Sequence, residues 1–569
     1  MARNDNLTDL LRDVAVAIRE KTNSASLINP QDFPERIAAI ETAGGQPEGT
    51  HTVQFIDVDG AILKTQFVAD GGSATPPANP TREKCQFVKW LNAYDNITKD
   101  TDVFALYKSS DGNSWYKVKA NTNGGMNLTI RCDTASPVII DWGDGSSDTA
   151  TDRNTYVVFQ HDYAEGFDGW VKVSSEGNYR LGSQEIDGNP CIIEVVVGDK
   201  VASIGPVARQ MFNLRSIVIP DTVKECEGNP FYHCLSLLSL AFPDGVKKFS
   251  MNRALFMFDL RYVRLPETLT EMPANMFGNS YSLQSVVIPE GVTSIGNYAF
   301  QGCASLQSVV IPASVISIGK SAFQDCANLR DVKILGSFTS IQEFAFSGCY
   351  SLQGINIPEG VTSIGDSAFR DCGSLQSIAI PESVTSVGNN AFRGCTNAVF
   401  SVNVNNFAPK DSVFMYCRGL TGELNIIADE IPHDAFAFTG ITSLFCKANK
   451  TTRTTGGGAF YGCEELTRVE LTDIKEIGSF TFNACTALSL AIIGDTVTKI
   501  DSSAFLNCTT LARLVVKAAT PPTLASNALN GCGNLTAIYV PDEAVEAYKA
   551  ATNWIGYASK IQPLSGFSE

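Results

Sequence analysis

Cysteines 303, 326, 349, 372 and 395 lie 23 residues apart, and each closes the same phrase: AFQGC, AFQDC, AFSGC, AFRDC, AFRGC. A fixed short period means that like units stack along one axis, each too small to bury its own apolar face. Counting backward in steps of 23 reaches Ser280, Met257, Cys234 and Met211, and nine residues after each comes Pro289, Pro266, Pro243 or Pro220. Counting forward, the register meets Cys417, a position near Gly440, then Cys463, Cys485, Cys508 and Cys532. With one-residue slips this predicts fifteen coils, least regular between 396 and 458.

A regular unit reads L-x-S-V-x-I-P-x-x-V-T-S-I-G-x-x-A-F-x-x-C, as from Leu283 to Cys303. Leu283, Val286 and Ile288 suit one short strand, which Pro289 stops where no backbone donor is needed. Val292 and Ile295 suit a second, and Ala299 with Phe300 a tight helical turn. Stacked strands lie about 4.8 Å apart, so fifteen coils predict a rod or arc of roughly 70 Å.

Eleven of the sixteen cysteines fall in one repeat slot. Met211, Met257 and Ser280 fill that slot without disturbing the period. Neither a disulfide nor a thiolate metal site tolerates that exchange, so the slot reads as packing, and closely paired CxxC motifs are missing. The four histidines, His51, His161, His233 and His433, stand in different units, with no HExxH, GxSxG or P-loop sequence. The expectation is a non-enzymatic protein with no catalytic residues, metal or cofactor.

At 569 residues, 44% apolar and 18% charged, the chain should fold as several domains. A net charge of -17 and a pI near 4.8 argue against nucleic acid or anionic lipid as partner. MARNDNLTDLLRDVAVAIREK is too polar for a secretory signal or a membrane span, so membrane insertion is not expected.

Ahead of the array, Leu7, Leu10, Leu11, Val14 and Ile18 have helical spacing, and Phe33, Ile37 and Ile40 mark a second helix. Such a two-helix unit, residues 1–45, is too small to stand alone and predicts anchoring or oligomerisation, with a small helical cap on the next domain as the alternative. HTVQFIDVDGAILKTQFV reads as a hairpin turning at 59–60. NLTIRC and PVIIDW read as strands, followed by acids at 141, 144, 148 and 152. Those acids fit either turn chemistry or oxygen ligands for Ca²⁺, without EF-hand spacing.

Several of these phrases resemble known families. NLTDLLRDVAVAIREK with INPQDF resembles an N-terminal module of bacteriophage structural and tail-appendage proteins, which implies virion attachment. Residues 50–108 resemble the Listeria–Bacteroides or internalin B-repeat, a β-grasp-like module, with Cys85, Phe87 and Trp90 standing for its aromatic-glycine-tryptophan phrase. WGDG with HDY, within residues 120–185, resembles a PKD-like β-sandwich. Residues 190–540 are similar to BspA-like leucine-rich repeats, and IYVPDEAVEAYKAATNWIGYASKIQPL resembles the ending such arrays carry, a helical cap over 541–569.

The expected architecture is therefore multidomain and mainly β: helical hairpin, β-grasp-like module, PKD-like sandwich, long leucine-rich-repeat solenoid and cap. The expected function is a phage tail or head appendage binding a bacterial surface glycan or protein through the solenoid. Its N-terminal module would hold other virion proteins, and self-association, as in a trimer, would add avidity. The alternative is a bacterial cell-surface adhesin.

Candidate contacts are strand positions pointing away from the core, read in order as Val218, Ala241, Arg264, Val287, Val310, Lys333, Asn356, Ala379, Glu470, Val515 and Tyr539. Of these, Arg264, Lys333, Asn356, Glu470 and Tyr539 offer polar or aromatic groups to a ligand. The irregular coils at 396–458 are a rival site, since loop excursions often carry recognition.

Overall fold

The computed structural model describes residues 47 and 49–568, apart from 99, 121–123, 154, 183–190, 206–210, 229, 232, 251–255, 402, 405–408, 429 and 448–453. The expected anchoring residues Leu7, Leu10, Leu11, Val14, Ile18, Phe33 and Ile37 lie outside the described residues. The chain forms two compact units, one of residues up to Ile56 with Ile62–Ala78 and Leu91–Val103, the other of Asp57–Ala61, Asn79–Trp90 and everything from Phe104.

In the first unit, Thr50–Ile56 and Ile62–Ala69 pair antiparallel with His51 opposite Val68, as the alternation predicts. Val53 and Phe55 are fully buried, the Phe55 ring lying 5.9 Å from Tyr94. Gly60, in the turn that joins these strands in sequence and belongs to the second unit, takes φ +81, which a side chain would resist.

The second unit holds a β-sandwich and the solenoid, which share both their sheets. Ser114–Lys119 pairs antiparallel with Ile192–Val196, which pairs in parallel with Ser216–Val218. Tyr179–Leu181 pairs in parallel with Val201–Ile204, and that ladder continues through Glu225–Glu227 to Lys248–Ser250. An exposed first coil would present a row of unpaired backbone groups, and the sandwich supplies their partners. Ser114–Lys119 lies before residue 120, where the sequence reading begins the sandwich; the two modules meet by hydrogen-bonded strands instead of a linker.

Along the solenoid, two ladders of short parallel strands repeat. One is Ser308–Ile311, Asp331–Ile334, Gly354–Ile355, Ser377–Ala379 and Val399–Ser401. The other includes Ser340–Ile341, Ser363–Ile364 and Ser386–Val387. After the first strand each proline carbonyl accepts a turn bond, as when the Val292 amide donates to Pro289 (3.0 Å). About fifteen turns result.

Inside, phenylalanines 277, 300, 323, 346, 369, 392, 414, 436, 460, 482 and 505 form one stack, neighbouring ring centroids 5.2 to 5.7 Å apart. Slot cysteines line it, and their thiols do more than fill space. Cys326 donates to the Phe300 carbonyl and Cys349 to Phe323, each at 3.2 Å, and Cys463, Cys485, Cys508 and Cys532 repeat the bond to the phenylalanine of the preceding coil. Where the sequence reading placed the slot near Gly440, the residue is Thr439, whose hydroxyl donates to the Phe436 carbonyl at 2.8 Å. In these coils a small side chain with a donor fills the slot, whereas Met211 and Met257 fill it as buried apolar groups.

Ala299 and Phe300 lie in a turn bounded by left-handed residues, Tyr298 (φ 59) and Gly302 (φ 71), instead of a helical one. The second left-handed position alternates Asn279, Gly302, Asp325, Gly348, Asp371, Gly394. Each Asx side chain occupies the space a Cβ of the next coil would need: a Cβ at 348 would sit 2.3 Å from Asp325 Oδ1, and one at 394 would sit 2.4 Å from Asp371 Oδ1.

At the far end, the helix Val545–Ala550 and the turns after it close the array. Tyr548 donates its hydroxyl to the Ala518 carbonyl (2.8 Å), and Trp554, fully buried, donates Nε1 to the Pro522 carbonyl (2.8 Å). Ile561–Pro563 then adds a last parallel strand beside Ala537–Val540.

Candidate binding face

The outward row of the first-strand ladder is covered at both ends and open between them. At the start, Val196 and Val218 are buried under Val58, Ala105 and Tyr107, with Phe87, Trp90 and Trp115 against them. Arg82 fastens this cover, its guanidinium reaching Asp59 (3.0 Å), Glu194 (3.2 Å) and the Ser216 hydroxyl (2.8 Å). At the finish, Leu490, Ile492 and Val515 are buried beneath Tyr539, Leu564 and Phe567. Arg513 donates to the Ser568 carbonyl at 2.9 Å and lies over the Phe567 ring.

Of the five preferred contacts, the structure leaves two on the open stretch: Lys333 and Asn356 are exposed, with Val287, Ala379, Asn425 and Phe445 on the same row. Arg264 is 4% exposed, because its guanidinium donates to the Phe242 carbonyl (2.6 Å) and pairs with Asp244 (2.8 Å). This arginine satisfies the coil instead of presenting a charge. Glu470 is half-buried and paired with Arg468 at 3.1 Å, and Tyr539 is packed on Phe567 with ring centroids 5.1 Å apart. Sequence periodicity identified the row; it could not show that segments far away in the chain lie over its ends.

Of the acids at 141, 144, 148 and 152, the first three point to separate partners. Asp141 accepts the Gly143 amide, Asp148 accepts Trp142 Nε1 (2.8 Å), and Asp144 accepts the Ser146 amide and hydroxyl while pairing with His161 at 2.7 Å. The His161 ring stacks on Trp142 (4.7 Å, 11°). The hydrogen bonds from Ser146 first, then His161, hold the Asp144 carboxyl down at about 2. This is turn and strand chemistry. Among the described residues, no group of three or more His, Cys, Asp or Glu side chains could hold a metal ion. Nor is any helix there long and apolar enough to cross a membrane. Burial pushes the Cys463 thiol up to about 11 and raises those of Cys303, Cys326 and Cys349 as well.

A family model described as the BspA type leucine rich repeat region matches in six copies over residues 187–307, 293–421 and 429–552, more than half the sequence. The chain belongs to this family. The BspA-type repeats thus start where the sandwich hands over its strands and end on the cap helix. Among solved structures, the chain is similar to a leucine-rich repeat protein from Bacteroides ovatus at 23% identity and TM-score 0.47, over 68% of this chain and 96% of that one. It is also similar to a leucine rich cell surface protein from Faecalibacterium prausnitzii at 25% identity and TM-score 0.33, over 58% of this chain and 92% of that one. No curated protein matches the chain.

Within the BspA-type array, the sequence reading missed a second kind of surface. Aromatic side chains stand on the turn edge at left-handed positions, Phe256 and His233 in early coils and Tyr416 and Phe438 in later ones. The signal was present as bulky residues in a place where neighbouring coils write Gly, Asp or Asn.

Proposed function

We propose that the protein is a non-enzymatic, surface-displayed bacterial adhesin whose open sheet row binds a glycan or protein on a neighbouring bacterial surface. The observation that carries this reading is the row itself, buried by the chain's own segments at both ends and exposed between them at Val287, Lys333, Asn356, Ala379, Asn425 and Phe445. A periodic strip of this kind offers one outward side chain per coil, so individually weak contacts to a repetitive surface sum. Fluorescent antibody labelling of intact producing cells should stain them, and staining that needs cell lysis contradicts display.

A second reading is favoured by the N-terminal phrase NLTDLLRDVAVAIREK with INPQDF: the same solenoid carried on a phage tail or head appendage, held there as a homo-oligomer by residues 1–45. The family match supports binding repeats in either setting and does not favour a virion. Mass spectrometry of purified virions would find the chain under this reading and miss it under the first.

A further inference from the structure

Ile62–Ala69 is an end strand of its four-stranded sheet, paired on one side with Thr50–Ile56. Among the described residues no strand pairs with its other side. Such an edge presents a row of backbone donors and acceptors to any incoming strand, and proteins blunt it with charge or cover. Here Ile62, Leu63 and Phe67 are 45%, 39% and 39% exposed. The strand's one charge, Lys64, is engaged within the chain: its ammonium donates to the Thr75 carbonyl, while Gln66 accepts the Thr75 amide at 3.1 Å. Lys64 and Gln66 are thus held on one face, and by alternation Thr65 and Phe67 stand on the other. The pairing with Thr50–Ile56 skips Leu63 and runs in regular register from Lys64 to Ala69.

Read by residue class, ILKTQFV is the same in both directions. Ile62 matches Val68, Leu63 matches Phe67, Lys64 matches Gln66, and Thr65 is the centre. An antiparallel copy related by a twofold axis through Thr65 therefore sets Leu63 against Phe67 twice, Thr65 against Thr65, and each Lys64 against a Gln66. Apolar and threonine pairs of this kind stabilise a ladder, whereas like charges directly opposite destabilise it. Moving the axis one residue, to Lys64, would oppose the two lysines, so the charge selects the register.

We propose that Ile62–Ala69 pairs antiparallel with the same strand of a second copy of this chain, across a twofold axis through Thr65. An isologous contact is the kind that uses self-complementarity, which a foreign strand would not need. One strand pair is a small interface, so association is weak in free solution and gains where copies are crowded together.

Sedimentation equilibrium of the full chain up to about 0.1 mM should show concentration-dependent association. Thr65→Lys places two like charges on the axis and should weaken that association at least about tenfold, as should Thr65→Glu; an equimolar mixture of the two should associate again. Thr65→Cys should give a disulfide-linked dimer under mild oxidation, whereas the wild type, whose described cysteines are buried apart from half-buried Cys85, should not. Gln54→Cys, opposite Thr65 on the neighbouring strand, should also stay unlinked, because its two copies would lie about 14 Å apart. No association in this range, undiminished association of Thr65→Lys, no recovery in the mixture, or no cross-link through Thr65→Cys would overturn the proposal. Lys333→Glu on the sheet row should leave association unchanged, so failure here is separable from failure of the adhesin reading.

Discussion

Gly348 shows how much a single position can depend on its neighbour one coil away. It takes φ +73, and a Cβ there would meet Asp325 Oδ1 at 2.3 Å. Gly348→Ala should therefore cost about 1 to 3 kcal/mol, part from the left-handed backbone and part from the clash. In a double-mutant cycle read by denaturant unfolding, Asp325→Gly should recover the steric part and leave the backbone part; strict additivity would contradict the account. The alternation of QGC with QDC is legible in the sequence, yet its meaning is not, because the clash runs between coils. Asp144 gives a prediction in pH. Its folded pKa, about 2, lies below the ordinary carboxylate value of about 4. Its contribution is therefore present above about pH 4 and lost as pH falls toward about 2. The melting-temperature gap between the wild type and Asp144→Asn should be widest near neutrality and close over that window; a gap constant to pH 2 would remove the role assigned to the Ser146 and His161 bonds.

At the level of elements, the short strands were readable because inward Val and Ile repeat with Pro and Gly at fixed offsets, and the phenylalanine stack follows from the same period. What the period cannot encode is closure. The last strand, Ile561–Pro563, and the residues after it lie on the sheet edge and the outward row, through a sequence with no repeat signature. A chain ended after Lys560 would leave the Ala537–Val540 edge unpaired and uncover the outward side chains of Ile492 and Val515. Unpaired edges and apolar rows invite pairing with another copy. Light scattering after size exclusion should show a higher association state for the truncated chain than for the full one at equal concentration. Identical masses would mean that the tail does not protect this edge.

For the molecule as a whole, the repeat family and the number of coils, about fifteen, were legible from residues alone, because each coil restates one pattern. The contact residues were legible only as a row. Lys333 and Asn356 stayed open, while Arg264, Glu470 and Tyr539 were taken by Asp244, Arg468 and Phe567, partners that no periodicity predicts. The central claim is that the open stretch is where the protein binds. Its most direct test is saturable binding of the labelled full chain to intact bacterial cells, compared with a Lys333→Glu, Asn356→Arg, Ala379→Arg variant whose melting temperature matches the wild type. The account predicts saturable binding by the wild type and its loss, at least about tenfold, in the variant. Equal binding by the two proteins would contradict it.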